Sequence, residues 1–292
     1  MTASTPAVVV FGSLHYDIIV KGPARPRKGE TVTGSAWNPA CGGKGGNQAV
    51  SAAKAGVRSA MIGAVGDDDF GGTLTANLAA NAVELDHVRV IEGAASGMSV
   101  AIFDAEGDYG AVIVSGSNLQ LGQTDVQQAA SLFQAGNILV LQNEVPDPAN
   151  VLAASAMKRA GGKVVLNAAP VRALSPELAG LIDVLVVNAV EAEALAGGAE
   201  VDTLNDAIAA ARVLAKSFPV AVVTAGGAGV AYATRDGEEA TIPAIKIKLV
   251  STHGAGDEFI GVLAAQLLRG EGMKAALSAA NQAAAILVSS LR

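Results

Sequence analysis

The chain has little aromatic character and a single cysteine. Phe, Trp and Tyr make up 3% of its 292 residues while hydrophobic residues reach 51%, so the core must be built from Ala, Val, Leu and Ile. Cys41 has no cysteine partner, which excludes an intramolecular disulfide and is typical of a reducing compartment. We therefore expect a cytoplasmic protein in which Cys41 is a small buried side chain.

Long apolar runs and excess positive charge are also missing. No uninterrupted apolar stretch approaches the ~20 residues that span a bilayer, so we expect no membrane association. No basic segment precedes the apolar residues 8–10, so we expect no signal peptide. The formal net charge of −7 argues against broad neutralisation of phosphates, and we expect no nucleic-acid partner.

Hydrophobic periodicity predicts strands that alternate with helices along most of the chain. The alternation predicts an α/β fold with a mainly parallel sheet covered on both faces. Short polar segments and a hairpin predict a small second sheet that projects from the first. The predicted main strands are 7–11, 59–65, 138–141, 163–166, 184–187, 220–224 and 242–250. The predicted small-sheet strands are 17–20, 31–36, 98–103 and 111–114, and the clearest helices are 47–55, 70–81, 148–160, 257–268 and 273–289.

One junction between a predicted strand and helix stands out, the sequence Gly254-Ala255-Gly256-Asp257. Small residues there let a ligand approach the main chain, and the N–H groups at the start of a helix favour an anion. Asp257 lies in the first turn of that helix. Its carboxylate either complements the helix dipole or acts as a base where a phosphoryl group is transferred.

A second cluster places four glycines within residues 42–46, around Lys44 and just before Asn47. Such a cluster forms either a plain loop or a backbone that meets a ligand closely. It is not a Walker A loop, because no Ser or Thr follows Lys44, and it does not fit Gly-x-Gly-x-x-Gly. Amides, an ammonium and a carboxamide are good partners for vicinal hydroxyls.

Three shorter motifs accompany these clusters: Gly12-Ser13-Leu14-His15-Tyr16-Asp17, Asn188-x-x-Glu191, and Thr224-x-Gly226-x-x-Gly229. In this order and spacing, the five motifs resemble those of the ribokinase-like (phosphofructokinase-B) carbohydrate kinases. The resemblance implies a three-layer α/β/α core in a single domain, residues 1–292, with lid segments at about 14–40 and 95–115. It also implies transfer of a phosphoryl group from ATP, with Mg²⁺, to the primary hydroxyl of a furanose sugar, most closely D-ribose.

The resemblance assigns roles to individual residues. It implies that Asp257 is the catalytic base, beside the backbone of Gly254, Ala255 and Gly256. It implies sugar contacts from His15, Asp17, Gly43, Lys44, Asn47 and Glu144. It implies nucleotide contacts from Asn188, Thr224, Gly226, Gly229 and Asn281, and a Mg²⁺ contact from Glu191.

The chain departs from the family pattern near its end. Ser251 stands where the family has Asp, His253 replaces a small Thr, and the customary tail after Arg292 is missing. In the family these segments help to hold a monovalent cation. Because a neutral hydroxyl is a poor substitute for a carboxylate ligand, we expect activation by K⁺ to be weak or absent.

Two other functions remain open. His15 stands where the family has Asn and could contact a nucleobase, which would make the protein a nucleoside kinase of the same fold. The changes at Ser251 and His253 would also suit a non-catalytic sugar or nucleoside sensor. Exposed strand edges of the lid could join two copies in a homodimer.

Overall fold

The computed structural model describes residues 5–104, 109–248 and 254–290. Within these residues a nine-stranded sheet has the strand order β13-β12-β11-β10-β9-β8-β1-β4-β5, and a four-stranded sheet has the order β3-β2-β6-β7. The strands are β1 (Ala7–Phe11), β2 (His15–Lys21), β3 (Ala36–Gly42), β4 (Arg58–Gly66), β5 (Glu84–Ile91), β6 (Gly97–Phe103), β7 (Tyr109–Val114), β8 (Ile138–Gln142), β9 (Lys163–Asn167), β10 (Val184–Asn188), β11 (Val220–Thr224), β12 (Gly229–Thr234) and β13 (Glu239–Pro243). The helices are α1 (Lys44–Lys54), α2 (Asp69–Ala80), α3 (Gln123–Gln128), α4 (Asp147–Arg159), α5 (Pro176–Ala179), α6 (Ala189–Ala196), α7 (Leu204–Leu214), α8 (Ala255–Leu268) and α9 (Met273–Ser289).

The predicted three-layer α/β/α core is confirmed. The strands from β11 to β5 in the large sheet pair in parallel, whereas β12 and β13 pair antiparallel at one edge. Strand β1 is buried on both faces: Ala7, Val9 and Phe11 join one core, and Val8 and Val10 join the other. The first core packs under α3–α7, and the second packs under α1, α2, α8 and α9.

The small sheet is the predicted projecting sheet. Strand β2 pairs antiparallel with β3 and parallel with β6, and β6 and β7 form the expected hairpin. The small sheet contacts the main body through Tyr16 of β2, whose ring stacks on that of Phe70 with 4.2 Å between the ring centroids. Cys41 on β3 is half-buried rather than fully buried, and burial raises the pKa of its thiol.

Two predicted strands lie in the wrong place. The predicted strand 31–36 ends where the observed strand β3 begins. Pro39 argues against a strand in the sequence, but it is tolerated in β3 because β3 lies at the edge of its sheet. The predicted strand 242–250 is replaced by β13, and residues 244–248 form neither helix nor strand. Ile245 and Ile247 line a cavity, which explains their alternation without a strand; residues 249 and 250 lie outside the described part of the chain.

Other predicted bounds of helices and strands differ from the observed ones by a few residues. Helix α1 begins at Lys44 rather than Asn47, so the glycine cluster is partly helical. Strands β5 and β12 were not predicted, whereas the last helix has the predicted bounds. In the part of the chain that the structure describes, no helix is both long and apolar enough to cross a membrane.

Candidate active site

A cavity of about 520 Å³ lies between the small sheet and the ends of the large-sheet strands. This position is where parallel α/β sheets bind ligands, beyond the carboxyl ends of their strands. Twelve of the predicted site residues line this first cavity: His15, Asp17, Gly43, Lys44, Asn47, Glu144, Asn188, Glu191, Thr224, Gly254, Gly256 and Asp257.

A second cavity of about 430 Å³ adjoins the first. The two cavities share Thr224, Gly256 and Phe259, so the start of helix α8 forms part of both walls. The remaining predicted residues, Ala255, Gly226, Gly229 and Asn281, line the second cavity. The structure therefore brings every predicted site residue to one of two adjoining cavities, while the individual roles stay predictions.

Asp257 lies in the first turn of α8, half-buried in the wall of the first cavity. Its Oδ2 accepts a hydrogen bond from Asn47 Nδ2 at 2.9 Å, and its Oδ1 accepts one from Gln48 Nε2 at 2.9 Å. Burial raises the pKa of the Asp257 carboxyl, and nearby Glu144 adds to the rise. The Lys44 ammonium and the two amide donors oppose that rise in pKa because they stabilise the charged form.

The glycine cluster is explained first by close packing. Gly43 has a φ of 82°, and a Cβ there would lie 2.7 Å from the main-chain nitrogen of His15. A Cβ on Gly45 would lie 2.6 Å from the main-chain nitrogen of Ser13. The start of α1 is thus pressed against the turn between β1 and β2, which brings Lys44 and Asn47 into the cavity.

Two carboxylates of the first cavity are held by neighbouring donors. Glu144 Oε2 accepts hydrogen bonds from Ser13 Oγ and from the Lys44 main-chain nitrogen, and lies 3.8 Å from His15 Nδ1. On the small sheet, Asp17 Oδ1 accepts a hydrogen bond from Ser99 Oγ at 2.6 Å. These two acids approach the cavity from the main body and from the lid, an arrangement suited to several hydroxyls of one small polyol.

Asn188 and Glu191 form a capping box at the start of α6. Glu191 Oε2 accepts from the Asn188 main-chain nitrogen at 2.8 Å, and Oε1 accepts from Asn188 Nδ2 at 2.9 Å. Burial raises the pKa of Glu191, against the opposing effects of Asn188 and Lys44. Both oxygens already accept one hydrogen bond, so Glu191 fits a contact with Mg²⁺ through water, and Mg²⁺ commonly keeps several waters. Among the described residues, no group of three or more His, Cys, Asp or Glu could cage a metal.

Several residues of the site were not predicted from the sequence. Gln48 and Asn167 form hydrogen bonds around Asp257, and Ser13 and Ser99 hold the two other acids. The adjacent lid face carries Ile19, Ala101, Phe103, Ala111 and Ile113, and Lys246 lines the second cavity. The alternation in 98–103 and 111–114 could have indicated that one face of the hairpin is turned inward.

The residues of the expected cation segment, 251 and 253, lie outside the described residues.

The chain is similar to carbohydrate kinases over nearly its whole length. The family model described as pfkB family carbohydrate kinase matches residues 5–291. A ribokinase of Haemophilus influenzae is 34% identical over 282 residues, covering 96% of this chain and 92% of its own. A deoxyribokinase of Salmonella typhimurium is 35% identical over 275 residues, covering 94% and 89%. The structure of Arabidopsis thaliana ribokinase complexed with ribose and ATP has a TM-score of 0.88 at 29% identity, covering 99% of this chain and 94% of that one.

Proposed function

Because the chain belongs to the pfkB family of carbohydrate kinases, and is therefore a phosphotransferase with an alcohol acceptor, we propose that it phosphorylates the primary hydroxyl of D-ribose with ATP. The observation that carries the proposal is the position of Asp257. Its carboxylate lines the first cavity together with Lys44 and Glu144, one residue after Gly256, which lines both cavities. The ribokinases among the relatives support ribose as the sugar.

In the proposed reaction, the first cavity holds the sugar through Asp17, Lys44, Asn47 and Glu144. Asp257 accepts the proton of the primary hydroxyl as the oxygen attacks the γ-phosphate. The main-chain N–H groups of Ala255 and Gly256 lie at the positive end of α8 and offset negative charge on the transferred group. Mg²⁺, held through Glu191 and Asn188, would supply further charge neutralisation on the phosphates.

The second cavity suits the nucleotide. It is lined by small residues after β11, by Ile245 and Ile247, and by α9 around Asn281. Asn281 Nδ2 donates to the Pro243 carbonyl at 3.0 Å, which fixes one wall of this space. A largely apolar cavity of this kind fits a purine base, with the phosphates directed towards Gly256.

The small sheet is proposed to act as a lid over the sugar. The lid segments, about 14–40 and 95–115, contain the four strands β2, β3, β6 and β7. Their inward face is mostly apolar, and it would exclude water from the γ-phosphate and limit hydrolysis of ATP. We also place the reaction in the cytoplasm, in line with the single unpaired cysteine.

The direct test compares the wild type with Asp257→Asn across a substrate panel of ribose, 2-deoxyribose, fructose and nucleosides with ATP. We expect ribose to give the highest kcat/KM. The Asn variant, which keeps the shape but cannot accept the proton, should lose at least ~10²-fold in kcat with a small change in ribose affinity. Preference for a nucleoside would support the runner-up function. If no acceptor leads to ADP formation, the alternative function as a non-catalytic sensor would be supported instead. Near-normal turnover by Asp257→Asn would show that Asp257 is not the base.

A further inference from the structure

Gln48 connects the candidate base to the centre of the main sheet. Its side chain is 0% exposed, although it belongs to helix α1 beside the cavity. Nε2 donates to Asp257 Oδ1 at 2.9 Å and to Asn167 Oδ1 at 3.1 Å. Oε1 accepts from Gln142 Nε2 at 2.7 Å, and Gln142 is also 0% exposed. All of the polar atoms of the Gln48 amide therefore have partners.

The partners determine which way each amide points. A carboxylate only accepts hydrogen bonds, so the Gln48 atom that faces Asp257 must be the nitrogen. The oxygen of Gln48 then faces Gln142, which must donate. Gly12 leaves room for the Gln142 amide, because a Cβ on Gly12 would lie 1.9 Å from Gln142 Oε1. One fixed chain of amides thus runs from β8 through α1 to the base.

We propose that Gln48 is a positioning residue for the reaction, which holds the Asp257 carboxylate in one rotamer and in its charged form, with Gln142 fixing the Gln48 amide. This inference rests on the proposed function of Asp257 as base. Asn47 binds Oδ2 and Gln48 binds Oδ1, so the two amides fix the plane of the carboxylate from both oxygens. The carboxylate then presents its remaining lone pairs to the substrate hydroxyl without searching rotamers.

Other charged groups act on the same carboxylate. Lys44 favours its charged form, and Glu144 disfavours it. Both remain in place when only Gln48 is changed. The contribution of the Gln48 amide can therefore be separated from theirs by the pH dependence of the reaction.

The test is the pH profile of kcat/KM for Gln48→Met, with whichever sugar the wild type phosphorylates best. Methionine fills a similar volume but donates no hydrogen bond. We expect the acid limb to move up by about one pH unit, because a hydrogen bond to a charged group and one unit of pKa are similar in free energy. We also expect kcat to fall at least ~10-fold while the KM for the sugar stays within ~3-fold, since the effect acts through the base. Gln142→Met should shift the limb in the same direction by less.

Ser51→Ala is the matched control. Ser51 Oγ donates to the Glu258 main-chain oxygen at 3.0 Å, so its loss weakens the same contact between α1 and α8 without touching the carboxylate. Its acid limb should match the wild type. If Gln48→Met does not fold, as judged by circular dichroism, Gln48→Asn is too short to reach Asp257 and carries the same expectation.

The result that would overturn the inference is an unshifted acid limb in a folded Gln48 variant, or an equal shift in Ser51→Ala. The proposed function fails separately. It fails if the wild type phosphorylates no acceptor, or if Asp257→Asn keeps near-normal turnover.

Discussion

At the scale of single residues, the proposed base Asp257 lies among charges that shift its pKa in opposite directions. Burial and Glu144 raise the pKa of Asp257, whereas Lys44 and two amides lower it. A base must be ionised to accept a proton, and the pKa of Asp257 is raised overall. As the pH falls, the activity should therefore be lost at a higher pH than that at which an ordinary aspartate protonates. The two glycine-rich sequence motifs could predict Asp257 and Asn47 as site residues. It could not predict Gln48, because the partners of that amide come from helices and strands far away in sequence.

Lys44 therefore gives a prediction of definite sign. In Lys44→Met the positive charge that favours the ionised form is lost, so the pKa of Asp257 should rise. The acid limb of kcat/KM should move to higher pH, and the KM for the sugar should increase. Lys44→Arg keeps the charge and serves as control, with an acid limb near that of the wild type. A limb that stays in place in Lys44→Met would contradict a charge effect of Lys44 on the base.

At the scale of elements, the loop after β8 is braced by an arginine. Arg172 Nη1 donates to the main-chain oxygens of Asn143 at 3.3 Å and Val145 at 2.8 Å, one on each side of Glu144. Its Nη2 lies 3.5 Å from Asp147 Oδ1 at the start of α4. The guanidinium thus fixes the backbone from which the Glu144 carboxylate reaches the first cavity.

Arg172→Met is expected to loosen Glu144 and weaken binding of the sugar. We expect the KM for the sugar to rise about tenfold with kcat within about threefold, since lost uniform binding raises KM alone. Steady-state kinetics at saturating ATP measure both constants. Arg212→Met is the control, because Arg212 forms an exposed pair with Glu239 and lines neither cavity. A fall in kcat with unchanged KM would contradict the role assigned to Arg172.

Elements were predictable where the local pattern alone decided them. The last helix has its predicted bounds because its apolar spacing and the preceding Gly272 are local signals. Strand β3 was misplaced because Asn38 and Pro39 oppose a strand, and only the edge position that β2 offers makes them acceptable. The order of the large sheet could not be predicted either, since β1 pairs with β8 from far along the chain.

At the scale of the whole molecule, the outward face of the lid is a broad apolar surface. Trp37 is opposite Val20, and Val20 is opposite Ile102, so these side chains share one face of the sheet. The same register places Val100 beside Val112, and Trp37 and Val112 are 65% and 69% exposed. We propose that two copies associate through this face, which would cover it.

The proposed association is tested by introducing a charged side chain into the outward face of the lid. In Val112→Lys we expect the sedimentation coefficient to fall to that of a monomer at micromolar concentration, because an ammonium would have to be buried between the lids. Ile286→Lys changes another exposed apolar residue, on α9 (60% exposed), and should leave the assembly unchanged. A wild type that sediments as a monomer at all concentrations would contradict the dimer.

The wall that the two cavities share has a consequence for inhibition. Thr224, Gly256 and Phe259 touch both spaces, so a ligand in one lies a short covalent bridge away from a ligand in the other. A bisubstrate compound, a pentose joined through its fifth carbon to adenosine by a polyphosphate bridge, would lose translational freedom only once on binding. Its affinity should exceed that of either half by the effective concentration that the bridge imposes.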